Sequence, residues 1–82
     1  MNSLTRIGDP HEIGEVLNKE FGVRALLSGD PRSEEGATIV VWIRPGLDKG
    51  EVRSRAASLC GDVYQHGFYV VPLVIPEESP GL

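Results

Sequence analysis

The chain has 82 residues, 40% hydrophobic and 24% charged, with a formal net charge of −4. That length makes one domain, expected over residues 1–76 with a flexible tail over 77–82, and a domain of this size buries about 60–65% of its unfolded surface. The acidic balance argues against nucleic acid or an anionic membrane as partner, because both repel a negative chain at long range.

The first helix is announced by Asp9-Pro10-His11-Glu12. Asp9 caps, Pro10 takes the first helical position where its missing N–H costs nothing, and Glu12 completes a capping box. Ile13, Val16, Leu17 and Phe21 recur at helical spacing, which predicts a helix over 10–21, closed by Gly22. Residues 23–27 read as a strand with Val23, Ala25 and Leu27 on one face and Arg24 and Leu26 on the other. Residues 28–36 are rich in turn formers and predict a loop. Residues 37–43 are the strongest strand in the chain, and with 23–27 they predict a hairpin.

Pro45 and Gly46 break that strand. Asp48 caps a second helix, Glu51 is its third-position partner, and Leu47 can staple against Val52. Val52, Ala56, Leu59 and Cys60 form the apolar stripe, and Gly61 is the expected end of the helix. A turn at His66-Gly67 leads into a last strand over 68–75. Pro72 assigns that strand to a sheet edge, because proline cannot donate to a ladder. A short strand over 4–7 would complete the pattern. The expected fold is α+β: a two-layer sandwich with two helices on one face of a mainly antiparallel sheet of three or four strands, in ferredoxin-like (β)αββαβ order.

Two helices of this length cover one face of such a sheet, and the other should be polar. This sequence is apolar on both. Ile39, Val41 and Ile43 oppose Val40 and Trp42, and Phe68, Val70 and Val74 oppose Tyr69, Val71, Leu73 and Ile75. An uncovered apolar face marks an interaction surface. Leu26, Val40, Trp42, Arg24 and Arg44 are therefore the expected interaction residues, and the expected partner is a second copy or another protein.

Chemistry is sparse. Cys60 is the only cysteine, so no internal disulfide forms and a cytoplasmic location is expected. No leader-like apolar core follows residues 1–6, and no apolar run approaches the roughly 20 residues of a membrane span. His11, His66 and Cys60 are too widely spaced for a metal site, so neither metal nor cofactor is expected. Cys60 on an apolar stripe reads as a small core hydrophobe. The loop residues Ser28, Gly29, Asp30, Arg32, Glu34 and Glu35 are the candidate ligand loop, with the amide-rich starts of the two helices beside them as candidates for an anion. Trp42 with Arg24 and Arg44 on a sheet is a layout similar to that of RNA-recognition domains. Aliphatic or small residues stand over 36–41 where that family's third-strand motif has aromatics, and the charge is wrong.

A helix ending in Phe21-Gly22-Val23, a strand into Ser28-Gly29, a turn-rich loop, the 38–43 strand, a helix, and a last strand followed by Pro76-Glu77-Glu78 resembles the minimal nucleotidyltransferase core over about residues 10–78. In that family the chemistry depends on a Gly-Ser pair after the first strand and on carboxylates of the second and third core strands, which hold metal ions. Here the order is Ser28-Gly29, and Thr38, Val40 and Val71 carry no carboxylate. The resemblance thus implies a domain that has lost that activity; a small-ligand-sensing domain is the alternative that the 28–36 loop and the helix starts suggest.

Overall fold

In the computed structural model, which describes residues 7–77, the first helix begins where its capping residues put it. The Asp9 carboxylate accepts from the His11 amide at 3.0 Å, and the Glu12 carboxylate accepts from the Gly8 and Asp9 amides at 3.3 Å each. Helix α1 (His11–Phe21) ends at Gly22, whose φ of 69° lets its amide bond back to the Asn18 carbonyl. Ile13 and Leu17 are fully buried, each worth roughly 1.5–3 kcal/mol of apolar burial.

Strand β1 (Arg24–Gly29) pairs antiparallel with β2 (Ala37–Ile43), in a register that sets Leu26 beside Val40 and Arg24 beside Trp42. Helix α2 (Lys49–Tyr64) then crosses back to β3 (Val70–Pro76), which runs parallel to β2 with Leu73 beside Val40. The Asp48 carboxylate accepts from the Gly50 and Glu51 amides, as its capping sequence predicts. Both helices pack on one face of the sheet, over a core that includes Ile39, Val41, Ile43, Val70 and Val74. A bidentate pair joins the helices: Arg55 donates to Glu20 at 2.8 and 2.9 Å. The arginine holds Glu20 below the usual carboxylate range, and Glu20 raises Arg55 in turn.

The α+β class, the hairpin and the alternation of faces are as expected. The ferredoxin-like, mainly antiparallel order is not. The sheet is mixed, with three strands in the order β1-β2-β3 among the described residues. A ferredoxin-like order needs a further strand between β2 and β3, whereas here the two bond directly. A helical crossover of a dozen or more residues serves an adjacent parallel partner as readily as a skipped one. The fourth strand expected over 4–7 falls outside the described residues except for Ile7, which is buried without strand pairing. The tail over 77–82 lies outside them except for Glu77. Pro72 does lie on an edge strand of the described sheet.

Three boundaries also move. Helix α2 runs through Gly61 to Tyr64, because Val63 extends the buried stripe one turn and outweighs the modest helix cost of a glycine. Strand β1 takes in Ser28 and Gly29, paired with Thr38 and Ala37. Phe68 and Tyr69 precede β3 and do not belong to it.

Candidate interaction surface and loop cleft

Because side chains alternate along a strand, the register collects one face from all three strands. Its middle row is Leu26, Val40 and Leu73; towards one end lie Arg24, Trp42 and Ile75, and towards the other Ser28, Thr38 and Val71. The apolar members are open to solvent to a degree unusual for a sheet: Leu26 is 58% exposed, Leu73 47% and Val71 40%. Val40, Trp42 and Ile75 are half-buried by their neighbours. Arg24 stacks on the Trp42 ring, with its guanidinium carbon 4.7 Å from the ring centre. Arg44 sits just beyond the end of β2 and reaches across to the Gly22 carbonyl at 3.4 Å. The five residues expected to form the surface are thus brought to one face and its rim, and β3 contributes Val71, Leu73 and Ile75 to the same patch.

The loop at the far end does not fold over this patch. Asp30 nucleates it, its carboxylate accepting from the Arg32 amide and its carbonyl from the Ser33 hydroxyl and amide. The Pro31 carbonyl accepts from the Tyr69 amide, and the Tyr69 carbonyl accepts from the Ala37 amide. Gly36 closes the loop at a φ of 76°, where a Cβ would run into the Tyr69 ring and lie 2.8 Å from the Tyr69 carbonyl oxygen. Only glycine tolerates both conditions.

The same loop meets the start of α1. Gly8, Asp9, Pro10 and His11 face Asp30, Pro31, Arg32 and Phe68 across a cleft of about 400 Å³. Arg32 lies over the Phe68 ring at 5.4 Å. Sequence reasoning named the loop and the helix start separately, and missed Phe68. Nothing local in the sequence signals that residues as distant in the chain as His11, Arg32 and Phe68 converge there. Ser28 and Gly29 belong to β1, and Glu34 and Glu35 are exposed farther along the loop. The Asp9 carboxylate is held below its ordinary range by the His11 amide and then by the His11 ring, 3.2 Å away. Asp9 and Asp48 occupy the two helix starts themselves, accepting from the His11 amide and from the Gly50 and Glu51 amides.

Asp30, Glu34 and Glu35 do not converge: among the described residues, no three His, Cys, Asp or Glu side chains form a group able to hold a metal ion. Cys60 is buried under α2, and burial pushes its thiol up to about 11, far from the reactive range of a thiolate nucleophile. Of the positions compared with nucleotidyltransferases, Ser28, Thr38 and Val71 share one row of the sheet and Val40 lies in the middle row, and none supplies a carboxylate. No helix among the described residues is long and apolar enough to cross a membrane. No protein-family model, curated protein or solved structure matches the chain.

Proposed function

We propose that this domain is a non-catalytic interaction or regulatory module that self-associates by packing its open sheet face against that of a second copy. The observation that carries the reading is the apolar face on which Leu26, Leu73 and Val71 are exposed and Val40, Trp42 and Ile75 half-buried. An exposed contiguous apolar patch of several hundred Å² marks an interaction surface more often than an accident. A two-fold axis lets one surface serve both partners.

Sedimentation of the wild-type chain over a concentration series tests this. The expected result is a dimer that dissociates on dilution, with a melting temperature that rises with concentration. Leu73→Lys, at an exposed edge position, should leave a folded monomer, and Trp42→Lys should do the same. A wild-type chain that stays monomeric throughout, with a Trp42→Lys variant equally soluble and folded, overturns the reading.

The cleft favours a second reading, a small-ligand-sensing or catalytically inactive nucleotidyltransferase-like domain. Its size falls in the range of small-molecule sites, and it joins an apolar ring to charged groups. A thermal-shift screen against nucleotides, amino acids and divalent cations separates the two readings. Stabilisation that Arg32→Ala abolishes supports the cleft.

A further inference from the structure

The two outer edges of the described sheet are not equivalent. The Ala37 amide donates to the Tyr69 carbonyl, and the Ile43 carbonyl accepts from the Glu77 amide. The backbone groups of Ala37, Ile39, Val41 and Ile43 therefore point to β3, and those of Thr38, Val40 and Trp42 point to β1. In the observed register Arg24, Leu26 and Ser28 bond to β2, so the N–H and C=O groups of Ala25 and Leu27 point away from the sheet. On β3 the outward residues are Val70, Pro72 and Val74, and Pro72 has no N–H to offer in the middle of that row. The β3 edge thus carries its own block against a further strand. The β1 edge has no proline, and its register runs from Arg24 to Gly29 without a bulge.

The outward groups of β1 are reachable as well as unbonded. The carbonyl just before the strand, at Val23, accepts from the Asn18 side chain at 3.0 Å. Among the described residues no such partner reaches Ala25 or Leu27. A groove of about 340 Å³ runs beside Ala25, between β1 and the His11, Gly14, Glu15 and Asn18 positions of α1. Gly14 keeps this groove open. A Cβ there would stand 3.5 Å from the Ala25 Cβ and 3.9 Å from the Ala25 carbonyl oxygen, which is ordinary packing distance. Contact with the sheet therefore does not demand glycine, and glycine weakens a helix interior. Its effect is to leave the Ala25 carbonyl uncovered.

We propose that the β1 edge binds an extended peptide segment of another protein, which adds antiparallel to β1 as a further strand. The groups that receive the segment specify it: unpaired donors and acceptors at two-residue spacing match an extended backbone, whose own groups alternate in the same way. Antiparallel pairing is the more stable per residue. The segment's residue opposite Leu26 lies on the open face, beside a side chain that is itself exposed, and an apolar side chain gains most there. Its neighbours, opposite Ala25 and Leu27, turn toward α1, where Glu15, Asn18 and His11 suit small polar side chains. The pairing does not require self-association through the open face.

Amide hydrogen exchange in the full chain, with and without the peptide Lys-Thr-Val-Thr-Val-Thr-Lys, reads the edge directly. In dilute protein the Ala25 and Leu27 amides should exchange freely while those of Leu26 and Ser28 are protected. Peptide should slow Ala25 and Leu27 by roughly tenfold or more and leave Val70 and Val74 unchanged. The same peptide N-methylated at its threonines cannot donate to β1 and should slow neither. A Gly14→Leu chain, checked as folded by circular dichroism, has its groove filled and should bind the peptide about tenfold more weakly or worse. The proposal is overturned if peptide up to millimolar concentration leaves Ala25 and Leu27 unslowed, if the methylated peptide slows them equally, or if folded Gly14→Leu binds as the wild type does. Protection of both amides in the dilute free chain would also overturn it, and protection that appears only as the protein is concentrated would assign the edge to a second copy instead.

Discussion

Ile39, Val41 and Ile43 on one side of β2 and Val40 and Trp42 on the other are apolar side chains on one backbone, and they end in different surroundings. The first set is sealed beneath α1 and α2; the second is roofed by nothing among the described residues but Arg24 and its strand neighbours. The alternation is therefore not the usual division into a greasy inside and a polar outside. Apolar side chains on a strand report that a face is suited to burial, and only the count of covering elements reports whether the chain buries it alone. Here two helices serve one face, and the surplus is the surface on which the proposed function depends.

The largest expected effect opposes the two faces directly. Ile39→Ala removes a fully enclosed side chain and should lower the unfolding free energy by about 3 kcal/mol, whereas Leu26→Ala should change it by less than about 1 kcal/mol in dilute protein. Denaturant titration at low concentration measures both. Comparable losses would mean that the open face is structurally covered after all.

A smaller effect concerns the loop that stops short of the open face. Gly36→Ala meets both a positive φ and the Tyr69 backbone, and should cost about 1–3 kcal/mol. Adding Tyr69→Ala should recover only part of this, because the carbonyl oxygen remains in the way. Full recovery would show that the ring alone dictates glycine at this position.

The smallest effect probes how dry the covered side is. Burial raises the Cys60 thiol to about 11 in the folded chain, so the folded state holds that proton more tightly than the unfolded one. The corresponding stability is complete below the ordinary thiol pKa, near 9, and is lost as pH climbs from there through 11. The loss should be on the order of 1–2 kcal/mol after allowance for residual solvent near the group. Stability curves for the wild type and Cys60→Ala should diverge over that interval, and parallel curves would place water beside the sulfur.

The residues that act on their near neighbours were legible from the start. Asp9-Pro10 and Asp48 cap helices through amides two or three positions away, Gly22 ends α1 through its own φ, and the two-residue period assigns Val40 and Trp42 to the face opposite Val41. Gly61 misled because its helix penalty, about 1 kcal/mol, is smaller than the gain from burying Val63 one turn later. Chain order does not name a strand's neighbour: β2 would be equally apolar with β3 alongside or one strand removed, and the same 16-residue helix bridges either distance. Nor does it reveal that Arg32, Phe68 and His11 face one cleft. Those outcomes depend on contacts between distant parts of the chain, whose free energy exists only once both partners are in place, so the packed structure alone could settle them.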